Sequence, residues 1–536
     1  MLREAEAARL EAAATRLPID AVTALRAERT RPSPVGRREF LRKSGTLAAA
    51  AALSGLASKR SSGATSPRIV IVGAGLAGLR CAHKLWTDGG IASTIYEWNE
   101  RVGGRCATLR GYFANGQTAE MHGEFISSEH ASMLALARRF NLTLDNTDIY
   151  PPNTEDTYWY DGRYYTQAEL NADWQKFGWS LFNEAITAAP WRQSHTQYTA
   201  AGYQYDHMSA TDWISEYVPG GLNSAFGKLC AGDVQGEYGS PAERQSALNL
   251  IYLLGYDDSI PGNNLQPKKT PVLAGSDEKW HINGGNDQVV TGMVDELPAG
   301  TIQLGQKLIA VTKKSNGTLN CTFNNGSGNY DVVADTLVLA LPFSTLRSVD
   351  LSQAGISPLK MTAIDTLGYG TDTKLFFQFK SRPWTADGFT ANTFEDTLAA
   401  ETWETTNYQP GPQGILVSFP GGTEGASLPA RYGLKKYEGA PPPALVADFL
   451  ASIEQVLPGC TAAYDGLAYY NAGVIDPHIL GAWSNYLIGQ YTRFSGVEPL
   501  PEGNIQFAGE HTSLDYQGYM EGGVVTGERV ADVLSQ

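Results

Sequence analysis

Three glycines and one acid are spaced for phosphate and ribose chemistry. Gly73, Gly75 and Gly78 form a Gly-x-Gly-x-x-Gly run, and Glu97 follows them. In such a run the first glycine permits a tight turn, and the second lets backbone approach a pyrophosphate. The third lets a helix pack closely on a strand. An acid about 20 residues further on accepts ribose hydroxyls and disfavours a 2′-phosphate, which points away from NADP. The cysteines, by contrast, are chemically quiet. Cys81, Cys106, Cys230, Cys321 and Cys460 are scattered, odd in number and without Cys-x-x-Cys spacing. Neither a zinc site nor a disulfide framework follows, and no metal is expected.

The elements that must position these residues are legible nearby. Ile69 to Val72 is a four-residue apolar run, short enough for a buried strand. The glycines then turn the chain into a helix that reaches Trp86 and ends at Asp88-Gly89-Gly90. The start of that helix presents free N–H groups and a positive dipole end to phosphates. Ile95-Tyr96-Glu97 closes a second strand. A chain of 536 residues exceeds one compact core and predicts two domains plus extras. Hydrophobic residues at 42% and charged residues at 18% describe a globular chain. A net charge of -15 argues against non-specific nucleic-acid binding.

The stretch directly after Glu97, Arg101-x-Gly103-Gly104-Arg105, resembles the second fingerprint of FAD enzymes of the amine oxidase, protoporphyrinogen oxidase and phytoene desaturase superfamily. The resemblance implies FAD rather than NAD. Glu120-Met-His122-Gly123-Glu124-Phe125 is similar to the superfamily's acid-x-Gly-Gly segment, which passes under the flavin ring; His122 replaces the first glycine. The replacement implies a tighter contact or a polar group at the flavin, with a plain loop as the alternative. Further on come Gly284-Gly285, a helix over 289–297, strands over 301–304, 308–312 and 319–323, and the run from Ala334 to Pro342. That order matches the second nucleotide-domain segment, and by it Leu308 would contact adenine through its backbone. Near the C-terminus, Ala508-Gly509-Glu510 and Gly518-Tyr519-Met520-Glu521-Gly522 closely resemble the C-terminal FAD signature of flavin-containing amine oxidases. There Glu510 would bind the ribityl chain, and the backbone at Met520 would hold the flavin carbonyl end through a helix N-terminus.

What the resemblance implies is an α/β chain of the amine oxidase fold. A Rossmann-like FAD-binding domain would be assembled from 67–130, 265–350 and 480–536. An inserted α+β substrate domain would take 131–264 and 351–479, with hairpins and helices at 158–165, 171–188 and 210–217. Lys374 occupies the place of the family lysine that holds a water at flavin N5 and assists reoxidation. Tyr519 matches one wall of the aromatic cage and Tyr491 the other, with Trp483 behind them; core packing is the alternative for Tyr491 and Trp483. Gln490 stands where monoamine oxidases carry the cysteine linked to flavin, which implies noncovalent FAD. The implied activity is oxidation of an amine to an imine, then aldehyde and ammonia, with oxygen or a quinone as acceptor. The alternative is an L-amino acid oxidase or dehydrogenase giving a 2-oxo acid. No arginine stands near Ile126 to clamp a carboxylate, which favours amines. Glu124 and Asp515 are candidates to hold a distal ammonium or guanidinium. Homodimerisation is left open.

The first 66 residues read as a leader. Arg37-Arg38-Glu-Phe-Leu-Arg-Lys43 and the alanine-rich run to Ala57 resemble a twin-arginine export signal. The apolar run is too short for a membrane span, which needs about 20 residues. The expectation is export by the twin-arginine machinery to the periplasm or beyond, since that route carries proteins folded around their cofactors.

Overall fold

The computed structural model describes residues 67–257, 266–267 and 276–536. The leader and its paired arginines lie outside the described residues.

Ile69–Val72 is buried along its whole length because it is the central strand of a parallel sheet. It pairs with Ser93–Tyr96 on one side and Thr336–Leu339 on the other. Ile302–Gln303 and Ile505–Phe507 form the edges. A sheet covered on both faces wants unbroken apolar runs rather than alternation, and Ile-Val-Ile-Val and Thr-Leu-Val-Leu supply them. Helix α1 (Leu76–Gly89) returns from the first strand and ends on Gly90 in the left-handed conformation.

The far end of the chain covers this unit. The last helix, Met520–Leu534, packs along α1 through its own glycines. A Cβ on Gly523 would touch the Leu76 side chain at 3.4 Å, and one on Gly527 would collide with the Ala77 carbonyl. Close helix approach therefore depends on small residues more than 440 positions away in the sequence.

The second layer is an eight-stranded sheet. Its order is Glu438–Gly439, Tyr464–Ala472, Thr373–Phe379, Gly414–Ser418, Glu401–Glu404, Phe389–Glu395, Glu155–Tyr160, Arg163–Tyr165. The last two strands form a hairpin around Asp161-Gly162, both at positive φ (56° and 72°), as a type I′ turn requires. Between residues 167 and 255 the regular elements are helices. The helix expected over 171–188 starts four residues earlier, because Thr166 and Glu169 form a capping box. It then passes through a π turn at Trp174–Gly178 before continuing as Trp179–Ala188. Helix α2 (Ala225–Tyr238) lies against the large sheet, touching Glu155–Tyr160 and Phe389–Glu395. All five cysteines are buried thiols.

Candidate flavin and amine site

The glycine turn is sterically committed. Gly73 has φ +104°, and a Cβ there would sit 2.6 Å from the Ala340 oxygen; one on Gly78 would overlap the Gly73 carbonyl. Gly75 is different: nothing nearer than 4.0 Å would meet its Cβ, so it opens on space. It is the N-cap of α1, and no side chain caps the helix, leaving its first N–H groups for an anion. Gly103 N–H donates to the Ala74 carbonyl at 2.8 Å and so draws the Arg-x-Gly-Gly-Arg loop over the turn. Glu97, just beyond its strand, accepts from Ala74 N–H at 2.7 Å and Asn99 N–H at 2.7 Å. Beside it opens a cleft lined by Val72, Trp98, Leu308, Leu341, Val349 and His478, with Lys307 Nζ 3.9 Å from the Trp98 ring centre. Uncapped helix, open glycine, acid and apolar cleft fit the phosphate, ribose and base of a dinucleotide. Gly78→Ala is expected to abolish FAD retention, read as loss of yellow colour through gel filtration, and Gly90→Ala, whose Cβ meets nothing within 4 Å, to retain it.

Glu510 joins three distant segments. Its carboxylate accepts from Arg105 at 3.0 Å, from Ser484 N–H at 3.2 Å, from Ser484 Oγ at 2.7 Å and from Gly518 N–H at 2.8 Å. Arg105 also donates to the Ala482 carbonyl at 2.6 Å. Burial pushes Glu510 up, but Arg105, His511 and the donated hydrogen bonds outweigh it and hold it below its ordinary value. The chain either side of Trp483 and the turn before Tyr519 are thereby tied to the loop after the first acid. A Cβ on Gly518 would lie 3.0 Å from the Trp483 ring, so the two aromatic segments touch. Met520 opens the last helix, which no side chain caps. The Glu120–Phe125 segment slides beneath it, since a Cβ on Gly123 would meet Met520 Cγ at 2.7 Å.

Lys374 stands on the fully buried strand Thr373–Phe379 and faces this segment. Its Nζ donates to Glu124 Oε2 at 2.6 Å and to the Glu120 carbonyl at 3.2 Å, and lies 5.2 Å from the Trp403 ring centre. Trp403 Nε1 donates to the other Glu124 oxygen at 3.0 Å. Both charges are under 7% exposed, so the pair is desolvated and each member needs the other. His122 is next to this pair. Burial, then Arg101, Lys374 and Arg105, push its imidazole well below the ordinary value, so it is neutral. Trp483 stacks on Phe419 at 5.9 Å, Phe419 meets Trp403 edge-on at 5.2 Å, and Tyr519 is braced by the buried His130 at 5.1 Å. Trp483 and Tyr519 both keep part of their surface open.

The structure corrects the second wall of the cage. Tyr491 is in the core, with its ring 4.2 Å from Tyr486 and 5.9 Å from Tyr252 and its hydroxyl donating to Asn249 at 3.0 Å. Gln490 likewise turns away, bonding Thr366 O and Leu487 N–H. Arg105 and Glu510 bond Ala482 and Ser484, the two neighbours of Trp483, which brings Trp483 rather than Tyr491 against Gly518. Tyr491→Phe is expected to cost about 1 kcal/mol of stability by denaturant titration, the worth of one hydrogen bond, with flavin reduction unaltered. Glu124 is also reassigned: Lys374 bonds one of its oxygens and Trp403 the other, so its charge already has a partner within the protein. Asp515 is exposed in the turn before Tyr519. Sequence reasoning missed Trp403, Phe419 and His130. The Glu-Thr-Trp-Glu alternation at 401–404 was the available signal for the first of these.

Residues 76–535 match the family model for flavin containing amine oxidoreductases. An L-amino-acid oxidase of Siganus canaliculatus is 26% identical over 487 residues, covering 87% of this chain and 85% of that protein. Two solved structures share the fold: cyclohexylamine oxidase from Brevibacterium oxydans IH-35A (TM-score 0.71, 18% identity, 88% and 99% of the two chains) and putrescine oxidase bound to putrescine (TM-score 0.69, 19% identity, 88% and 99%). A glycine turn that fits a dinucleotide, a glutamate that closes both chain ends on it, and a family match over nearly the whole described chain agree: this protein belongs to the flavin containing amine oxidoreductase family and is an FAD-dependent enzyme.

Proposed function

We propose that the chain oxidises a small amine to an imine, which water then splits into an aldehyde and ammonia. The observation that carries this is the buried Lys374–Glu124 pair facing the segment that runs beneath Met520, with Trp483 and Tyr519 in adjoining loops. When bound, FAD would supply the two-electron acceptor, with oxygen as the final oxidant. Glycines 73, 75 and 78, Glu97, Arg105, Leu308, Glu510 and the start of the last helix would hold it. The walls Trp483 and Tyr519 orient the amine and exclude water, which favours the neutral, reactive form of the amine over the ammonium. Glu124 fixes the Lys374 side chain in place, so that its nitrogen could hold a water at the bound cofactor.

Anaerobic addition of amines and L-amino acids to the purified protein, followed by flavin absorbance, tests the reading. Bleaching by amines supports it; bleaching by L-amino acids alone would replace it with the 2-oxo-acid reaction, which the L-amino-acid oxidase relative favours. No bleaching by either class removes both. The paired arginines carry the separate reading of export after folding around FAD, which fractionation of the producing cell tests.

A further inference from the structure

The stretch that supplies Glu124 to Lys374 goes on to supply a buried imidazole to the Tyr519 wall. Ile126 is fixed between the two, its N–H donating to the Trp280 carbonyl at 2.7 Å and its carbonyl accepting from Trp280 N–H at 2.9 Å. His130 follows four residues later, 1% exposed, at the start of the helix Ala131–Arg139. Ser127 N–H donates to its Nδ1 at 3.0 Å. Burial, opposed by Asp277, pushes the imidazole down to about 4, so it is neutral near pH 7. A neutral imidazole whose Nδ1 accepts carries its proton on Nε2. Nε2 has no hydrogen-bond partner among the described residues, and the Glu129 carboxylate stands 3.9 Å from it, beyond hydrogen-bond reach. A buried donor left in this state calls for a reason other than packing.

What the imidazole meets is the turn that carries Tyr519. Its ring centre lies 5.1 Å from that of Tyr519 and 5.6 Å from that of Tyr516, with interplanar angles of 62° and 87°. Tyr519 N–H donates to the Tyr516 carbonyl at 3.3 Å, so His130 touches both ends of one closed turn. A steep ring-on-ring contact fixes the tilt of a phenol ring as well as its place. The backbone of the same turn is held separately. Ser132 and Met133 N–H donate to the two oxygens of Glu521 at 2.9 and 2.8 Å, so a carboxylate two residues beyond Tyr519 caps the helix that His130 begins. Glu521 sets where the turn lies, and His130 sets how the Tyr519 ring stands on it.

We propose that His130 is a positioning residue for amine oxidation: its ring fixes the tilt of Tyr519, and through it the pose of the amine between Tyr519 and Trp483. This rests on the amine-oxidation reading above. Buried as it is, His130 reaches no substrate itself and moves no proton. Because Glu124 and His130 belong to one stretch anchored at Ile126, the wall is set relative to Lys374 rather than independently of it. A misplacement of about 1 Å costs about 100-fold in rate, so a change of ring tilt is large enough to be read in kinetics.

The test is a double-mutant cycle on the holoenzyme. His130→Asn keeps an acceptor for Ser127 N–H and a favoured helix-start residue, and removes the ring. Flavin reduction is followed anaerobically with whichever of benzylamine, pentylamine, cyclohexylamine and 1,4-diaminobutane bleaches the unaltered enzyme at the lowest concentration. We expect His130→Asn to retain FAD and to lower the limiting rate of bleaching about 10-fold. In a Tyr519→Leu background the same substitution should change that rate by less than about 2-fold, because the ring it acts through is gone. His130→Phe, which restores a ring, should bring the rate back to within about 3-fold of the unaltered enzyme. An unchanged rate in His130→Asn overturns the proposal while leaving amine oxidation intact. So does an equal loss with and without the Tyr519 ring, which would mean that His130 acts elsewhere. Loss of FAD or of folding in His130→Asn would show that the ring serves the fold rather than the wall, and a His130→Phe variant as slow as His130→Asn would show that the ring is not what matters; either overturns it. No bleaching of the unaltered enzyme by any of the four amines overturns the amine-oxidation reading and this one with it.

Discussion

Glu510→Ala is expected to lower FAD affinity at least 100-fold, about 2.7 kcal/mol, measured by equilibrium dialysis of FAD against the protein. The carboxylate is the shared acceptor for Arg105, Ser484 and Gly518. Removing it frees the loop of the second fingerprint, the segment carrying Trp483 and the turn carrying Tyr519 together. Hydrogen bonds to a charged group are worth about 1.5–3 kcal/mol each, so the loss of several exceeds the effect expected of any single cofactor contact. Glu510→Gln keeps an acceptor for Ser484 and Gly518 but loses the charge facing Arg105, and should fall between the two. The pH dependence has a definite sign. A carboxylate held below its ordinary value of 4.5 contributes stability that is fully present above that value and fades as pH falls through the lowered one. The gap in melting temperature between the unaltered protein and Glu510→Gln should hold from pH 7 to about 5 and close only in stronger acid. FAD affinity unchanged in Glu510→Ala would show that Glu510 organises nothing beyond itself.

How far the sequence could be read follows the range of the constraints. Gly78 is excluded from carrying a side chain by the Gly73 carbonyl in the same turn, and Gly73 is favoured by its own φ of +104°, so their spacing announces them. The capping box at Thr166 and the Asp161-Gly162 turn are equally local, and only the first was overlooked. The choice between Trp483 and Tyr491 is not local. Both rings lie within one nine-residue stretch, and which of them faces the site depends on Arg105 reaching Ala482 from 377 positions away. Glu124 looked available to a substrate for the same reason: the lysine that occupies it is 250 positions further on.

Glu124→Leu is expected to destabilise the protein by about 3–5 kcal/mol, the cost of leaving one member of a buried ion pair alone. Lys374 Nζ would retain the Glu120 carbonyl and the Trp403 ring, neither of which balances a full charge away from water. Replacing both members, Glu124→Leu with Lys374→Met, should recover most of the loss, since an apolar pair of similar volume carries no desolvation cost. A single variant as stable as the parent, or a double variant no better than the single one, would show that the pair is not coupled as its 2.6 Å contact requires. If the double variant is stable but its reduced flavin reacts slowly with oxygen, then the fold does not need this pair and the chemistry does. A desolvated charge kept at a stability cost, beside the segment that runs beneath Met520, is the arrangement expected of a group retained for what it does to the reaction rather than to the core.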